Sequence, residues 1–237
     1  MNKKILIISG TASIARGLIE NLSKLGYSLY ITGRNKKKLI ELKNQGNGSN
    51  IETICLDLLN DEAIDDFVGG ICELDGIVCF TGLYETIRVS NFSNSNTIDL
   101  YKVNFLNIVR LIAGLFNHKR INPSSSILFT TSIAIENIWL GNGIYGSAKA
   151  SLERFAKSIA LEYSGKNIRC NCIRLGYIKS DLSEKIGNHY IENSLERYPL
   201  GIGDKEDVAQ LCIFLLEAKS KWITGQTIIM DGGFSLV

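Results

Sequence analysis

In the stretch Tyr145-Gly146-Ser147-Ala148-Lys149 a phenol and an ammonium stand four residues apart. On a helix that spacing puts both on one face. An isolated phenol titrates near pH ~10, and each unit taken off that value corresponds to about 1.36 kcal/mol in favour of the phenolate. A neighbouring cation supplies such stabilisation and makes tyrosine an acid or base usable near neutrality. A lone Tyr-x-x-x-Lys arises by chance in many chains, so its surroundings have to carry weight. Ser132 ends an apolar run upstream of Tyr145, and the connection Ile133–Ile144 allows both hydroxyls to converge on one substrate oxygen. The ordinary alternative for such a serine is a turn or helix cap. Asn104 lies inside an otherwise apolar helical stretch. Asparagine is unfavourable there unless its amide is used, in chemistry or in a bond to a neighbouring turn.

A second set of residues has the character of a nucleotide site. Ser9-Gly10-Thr11-Ala12-Ser13-Ile14-Ala15-Arg16-Gly17 reads as a strand-to-helix turn of small residues. Backbone N–H groups and the helix N-terminus could face a pyrophosphate there. The full G-x-G-x-x-G spacing is absent, and an ordinary βα turn explains the segment about as well. Thr32-Gly33-Arg34-Asn35 closes the second apolar run. NAD sites place an acid at that point for the adenosine ribose, whereas an arginine suits a 2′-phosphate. Lys36, Lys37 and Lys38 add positive charge but fit equally a solvated helix start.

These residues sit at the ends of elements that alternate regularly. Expected strands are Ile5–Ser9, Ser28–Thr32, Ile51–Asp57, Gly76–Thr81, Ser126–Ser132, Ile168–Leu175 and Gln226–Met230. Most are apolar on both faces, as strands covered on both sides by helices must be. Helical periods run near Ile14–Leu25, Asp61–Cys72, Thr97–Asn117, Ile144–Ser164 and Lys205–Glu217, with polar loops at Asn44–Asn50 and Asn91–Asn96. The alternation predicts an α/β fold: a Rossmann-type, doubly wound parallel sheet of about seven strands with helices on both faces, in one domain. Ligands of such sheets bind beyond the strand carboxyl ends where the winding reverses. Gly10, Arg34, Asp57, Gly82, Ser132 and Gly176 all follow strands.

Composition narrows the class. The chain has 237 residues, 45% of them apolar, enough for a sizeable core. A formal net charge of +2 implies no basic face for nucleic acid. No run reaches the roughly 18 apolar residues of a membrane span. The start, Met1-Asn2-Lys3-Lys4-Ile5, reads as a buried first strand rather than a signal peptide. The six cysteines form no CxxC pair, and with only His118 and His189 an imidazole metal site is not expected. The expectation is a reduced, cytoplasmic, metal-free protein.

Taken together, the ordered motifs resemble the short-chain dehydrogenase/reductase family over nearly the whole chain. The family's Asn, Ser, Tyr and Lys set falls on Asn104, Ser132, Tyr145 and Lys149. Asp57-Leu58 matches the position that holds the adenine end. Asn171-Cys172-Ile173-Arg174-Leu175-Gly176-Tyr177-Ile178-Lys179-Ser180 resembles N-x-I-x-P-G-x-x-x-T, and Asp207-Val208-Ala209, Ile223-Thr224-Gly225-Gln226 and Asp231-Gly232-Gly233 complete the pattern. Three departures stand out. The phosphate loop, T-G-x-x-x-G-x-G in the family, is one residue short, with Ile14 and Ala15 where glycines are usual. Cys79-Phe80-Thr81-Gly82 replaces N-N-A-G, and Leu175 replaces a proline. The compressed loop is similar to the enoyl-carrier-protein reductase branch, which places its tyrosine seven residues before the lysine. Here that position is Asn142, so the Tyr145/Lys149 pair favours carbonyl reduction.

The resemblance implies an enzyme using NADP(H) to interconvert a carbonyl and a secondary alcohol. It places the cofactor on Gly10, Thr11, Ser13, Ile14, Arg34, Asp57, Leu58, Gly82, Tyr145, Lys149 and Ile178. Ser132 and Tyr145 would bind the carbonyl oxygen, Tyr145 would deliver the proton, Lys149 would bind the nicotinamide ribose and depress the tyrosine pKa, and Asn104 would position a water for proton resupply. A lid over Tyr177–Gly203, with His189, Tyr190 and Tyr198, would choose the substrate. The first expectation for that substrate is a 3-oxoacyl group on a carrier protein. A sugar or secondary-metabolite ketone, and a catalytically silent NADP-binding regulator, are the alternatives. Homo-oligomers, tetramers or dimers, are implied as well, joined through the long helices and the tail Phe234–Val237.

Overall fold

Seven parallel strands build one sheet in the order β3-β2-β1-β4-β5-β6-β7. The computed structural model describes residues 3–45, 50–92, 95–180 and 195–236. The strands are β1 (Lys4–Ile8), β2 (Ser28–Gly33), β3 (Ile51–Cys55), β4 (Leu74–Cys79), β5 (Ile121–Ser132), β6 (Arg169–Leu175) and β7 (Thr227–Met230). The helices are α1 (Ala15–Lys24), α2 (Lys36–Gln45), α3 (Asp61–Gly70), α4 (Ser95–Tyr101), α5 (Asn107–Asn117), α6 (Gly143–Glu162) and α7 (Lys205–Leu216).

The central strands are apolar on both faces because each face packs a separate helical layer. Leu6, Ile8, Ile77 and Phe129 point into the layer of α3, α5 and α6. Ile5, Ile7, Val78 and Leu128 point into the layer of α1, α2 and α7. The winding reverses between β1 and β4, which opens a crevice at their carboxyl ends. Among the described residues no helix is long and apolar enough to cross a membrane.

Four elements differ from the sequence reading. The helix Lys36–Gln45 is not among the expected elements, because among its described side chains it buries only Leu39 and Leu42 and shows little amphipathic period. Asn35 Oδ1 caps it by accepting the Lys38 N–H at 3.0 Å. Strand β5 begins five residues earlier than Ser126, through an irregularity with Ser124 at φ 63°. The polar stretch Asn91–Asn96 contains the start of α4, and its residues 93–94 lie outside those described, as do 46–49 of the other polar loop. The expected single helix Thr97–Asn117 is broken by a π-helical turn over Lys102–Leu106. Its cause is Asn104, whose Nδ2 donates to the Leu100 carbonyl at 2.9 Å and so enters the i to i−4 ladder. Asn107 then donates its N–H to Lys102 O, five residues back.

In the tail, Phe234 is buried rather than presented outward: its ring lies 4.8 Å from that of Tyr198, and Arg197 stacks on it at 4.0 Å. Of the expected lid Tyr177–Gly203, residues 181–194, with His189 and Tyr190, fall outside the described residues.

Helix α1 meets α7 at Gly17, where an added Cβ would stand 2.6 Å from the Lys205 carbonyl oxygen and 3.3 Å from Ala209 Cβ. Alanine normally gains up to about 1 kcal/mol over glycine inside a helix. Overpacking against backbone costs about 1–3 kcal/mol, so Gly17→Ala is expected to destabilise the protein. Urea unfolding should show a lower midpoint at unchanged slope, and a raised midpoint would remove the close contact from the account.

Candidate active site

A cavity of about 670 Å³ opens at the carboxyl ends of the strands. It collects most of the residues singled out in the sequence. Thr11, Ser13 and Ile14 line it from the turn after β1, Arg34 from the end of β2, Asp57 and Leu58 from the end of β3. Gly82, Ser132, Tyr145, Lys149 and Ile178 complete the set. Gly10 and Asn104 are not on the cavity wall. Both support it from behind.

Gly10 is required by sterics, since a Cβ there would lie 2.5 Å from Ile31 Cγ2. Gly33 plays the matching part across the crevice, where a Cβ would lie 2.6 Å from Thr11 Cγ2. Helix α1 starts at Ala15, and Ile14 before it supplies no side-chain cap. The shortened loop still folds into this form through turn bonds from Ala12 N to Ser9 O at 3.1 Å and from Ala15 N to Ala12 O at 3.0 Å. Gly17 serves the packing of α1 on α7. Arg34 is exposed at the cavity edge, and among the described residues its guanidinium has no carboxylate partner. A backbone cradle, an uncapped helix start and an exposed guanidinium fit a phosphorylated dinucleotide.

The four residues Asn104, Ser132, Tyr145 and Lys149 have distinct settings. Tyr145 and Lys149 share the buried face of α6. The Lys149 residue is only 2% exposed, and its ammonium donates to the carbonyls of Thr81 at 2.5 Å and Thr130 at 3.0 Å. Burial lowers its pKa to about 8. It lies 5.7 Å from the centroid of the Tyr145 ring rather than at the phenolic oxygen. Tyr145 is therefore dominated by burial, which pushes its pKa up to about 12. The hydrogen bond with Ser132 acts in the opposite direction, and Tyr84, edge-on at 5.2 Å, adds to the rise. The depression of the phenol by the lysine that the sequence implied is not part of this geometry. Ser132 lines the cavity and also caps the turn that follows it, accepting the Ala134 N–H at 3.1 Å.

Asn104 is fully buried. Its Nδ2 donates to Leu83 O at 2.7 Å and Leu100 O at 2.9 Å, and its Oδ1 accepts the Leu83 N–H at 3.2 Å. Both amide hydrogens are committed, so a water relay through this side chain is left with one lone pair of Oδ1. What the amide does here is anchor the 82–84 loop that forms one cavity wall.

The sequence reading missed several supporting residues. Asn107, three residues after Asn104, donates to the Leu58 carbonyl and holds the end of β3 in place. Thr81 bridges the ends of β1 and β4 through Ser9 Oγ at 3.3 Å, a stitch that stands where the usual asparagine-rich segment is replaced. Glu153 continues the four-residue step of Tyr145 and Lys149 and is buried against Arg174. Its helical spacing was the signal that could have found it. Tyr84 and Trp139 form the wall beside Tyr145, joined by a bond from Trp139 Nε1 to Tyr84 Oη at 3.1 Å. Asn142 sits where the enoyl-reductase branch has its tyrosine. Its amide donates to Asn137 O at 3.0 Å and closes the turn before α6.

With this geometry in view, the comparisons are consistent. A family model described as enoyl-(acyl carrier protein) reductase matches residues 8–235. A 3-oxoacyl-[acyl-carrier-protein] reductase of Rickettsia bellii is 31% identical over 237 residues, 98% of this chain and 96% of its own length. A tropinone reductase homolog of Arabidopsis thaliana is 29% identical over 248 residues, 99% of this chain and 92% of its own. A short-chain type dehydrogenase/reductase from Mycobacterium ulcerans superposes with a TM-score of 0.89 at 26% identity, covering 100% of this chain and 90% of its own. The match along nearly the whole chain, on a sheet whose strand ends gather a serine, a tyrosine and a lysine into one cavity, makes this protein a member of the short-chain dehydrogenase/reductase family of oxidoreductases.

Proposed function

We propose that the protein interconverts a carbonyl and a secondary alcohol with NADP(H), acting first of all as a 3-oxoacyl-type ketoreductase. The observation that carries this reading is the convergence of Ser132 and Tyr145 at one cavity wall above the buried Lys149. The cradle of Thr11, Ser13 and Ile14, with Asp57, Leu58, Gly82 and Ile178, would hold the dinucleotide, and Arg34 would pair with its 2′-phosphate. When bound, the nicotinamide supplies or accepts a hydride.

The chain's own residues do the rest. The hydroxyls of Ser132 and Tyr145 donate to the substrate oxygen and stabilise the negative charge that develops on it. Tyr145, with a pKa of about 12, keeps its proton at neutral pH and so acts as the acid that protonates the new alkoxide. Oxidation asks the same group to be a base, so its rate should climb toward alkaline pH. Lys149 is held by two carbonyls and lines the cavity, where its remaining N–H would donate to the nicotinamide ribose. Asn104 acts at one remove, by fixing Leu83.

The 3-oxoacyl assignment draws on the reductase from Rickettsia bellii and on the pairing of Tyr145 with Lys149 in place of a tyrosine at position 142. A second reading, an uncharged cyclic ketone, is favoured by the wall of Tyr84, Trp139, Tyr177 and Tyr198. Among the described residues the charged cavity side chains are Arg34, Lys38, Asp57 and Lys149. None of the aromatic wall offers a cation to an anionic substrate. A panel containing a 3-oxoacyl thioester and bicyclic ketones separates the two readings.

Three measurements test the proposal. Tyr145→Phe should lower turnover by about 10²–10⁴-fold with cofactor binding retained. Wild-type turnover in that variant would overturn the proton-donor role. Fluorescence titration should show tighter binding of NADPH than of NADH, with the preference lost in Arg34→Asp. A charged hydrogen bond of about 1.5–3 kcal/mol corresponds to roughly 10–100-fold, and a preference for NADH would refute the role of Arg34. The third concerns Lys149, whose pKa of about 8 lies below its ordinary 10.5. Between those values the unfolded lysine holds its proton and the folded one has released it, so this site adds stability as pH rises through the window. In parallel urea melts, the stability of wild type relative to Lys149→Met should therefore increase from about pH 8 to about pH 10.5. A constant margin would show that Lys149 titrates normally.

A further inference from the structure

Arg174 makes a set of contacts that the proton chemistry above does not use. Its Nε and Nη2 form a fork on Glu153, to Oε1 at 3.0 Å and to Oε2 at 2.7 Å. Its Nη1 reaches Glu136 in the turn that leaves Ser132. Glu153 Oε1 also accepts the hydroxyl of Thr131 at 2.7 Å. Thr131 is the cross-strand partner of Arg174, and the next pair in the register is Ser132 with Leu175. One guanidinium thus joins the end of β5, the turn after it and helix α6. Ser132 hangs from the first two of these segments and Tyr145 from the third. The same segments touch again at Gly146, where an added Cβ would lie 2.5 Å from the Ala134 carbonyl oxygen.

Arg174 and Glu153 are both nearly buried, while the Glu136 side chain is exposed. A buried ion pair adds little net stability, because desolvation offsets most of the Coulomb gain. Its planar fork does fix direction, which a lysine cannot reproduce. Placement is therefore what the arrangement supplies. The groups facing the guanidinium are Glu153 from α6, Glu136 from the turn and the Thr131 hydroxyl beside it.

We propose that Arg174 and Glu153 are positioning residues for the reaction: their fork, extended to Glu136 and Thr131, sets the distance between the Ser132 and Tyr145 hydroxyls. The proposal rests on the carbonyl-reductase reading above. Neither residue lines the cavity, and both act through the placement of Ser132 at the end of β5 and of Tyr145 on α6.

The test uses Arg174→Lys, which keeps the charge and loses the fork, and Glu153→Gln, each alone and combined with Ser132→Ala. On a ketone that the wild type reduces, Arg174→Lys should lower kcat roughly 100-fold, the scale of a displacement of about 1 Å. KM and the NADPH Kd should stay within about threefold. In the Ser132→Ala background the same change should cost less than about threefold more, because both act on the same Ser132–Tyr145 arrangement. Independent, multiplicative losses would overturn the proposal, since general loosening of the fold would add to the serine loss. A readout free of turnover is the ¹³Cζ resonance of Tyr145, assigned with Tyr145→Phe. In Arg174→Lys it should move toward its position in Ser132→Ala, and a resonance left at the wild-type position would overturn the proposal. If no ketone is turned over by the wild type, the proposed function falls while this resonance still decides the positioning role. Failure of both Arg174→Lys and Glu153→Gln to fold would make the network structural and overturn the proposal too.

Discussion

A buried ammonium is the constraint around which the site is arranged. Lys149 has almost no contact with solvent, and a charge in that position is tolerated only with partners at hydrogen-bonding distance. It finds them in the carbonyls of Thr81, just beyond β4, and Thr130, near the end of β5. Carbonyls at these strand ends are available because the winding reverses nearby and opens a crevice there. The ion thus pins α6 to two strands at once, and with α6 comes Tyr145, one turn earlier on the same face. The depressed pKa of the lysine and the raised pKa of the tyrosine have the same origin, since burial disfavours whichever form carries charge.

The walls of the cavity are held in part by polar side chains that bond to the backbone. Asn104 satisfies both backbone groups of Leu83 and breaks the helical ladder to do so. Asn107 reaches the carbonyl of Leu58, and Thr81 ties β4 to β1. Each sits among apolar neighbours, where an unpaired amide or hydroxyl would cost about 1–3 kcal/mol. The π-helical turn between α4 and α5 is a local irregularity of this kind, found next to the functional site as such turns often are.

The departures from the family's motifs have local explanations. The shortened loop after β1 keeps its turn bonds and an uncapped helix start, and Gly17 packs α1 on α7. Cys79 and Phe80 lie in the apolar interior where asparagines are usual, and Thr81 takes over part of the stitching with its hydroxyl. Leu175 needs no proline to end β6, because the Gly176 N–H is held by Met230 O at 2.9 Å and a Cβ added there would lie 2.6 Å from Asp231 Cα.

By itself the sequence determined the alternation of strands and helices, because apolar runs of strand length and helical periods are local properties that burial on two faces imposes directly. It also placed Tyr145 and Lys149 on one face of a helix, since residues four apart are neighbours there whatever the fold. The helix Lys36–Gln45 escaped because it buries too few residues to leave a period, and the π-helical turn escaped because it depends on where Asn104 finds a carbonyl. Only the tertiary structure decided that Lys149 would bond to strand ends rather than to the phenol, and that Asn104 would stand behind the cavity wall instead of on it. It alone joined Arg174 to Glu153 and Glu136, three residues far apart in the chain. The physical reason is the same in each case. A hydrogen bond between distant segments is chosen by the positions of backbone groups, and those positions exist only once the sheet has been wound.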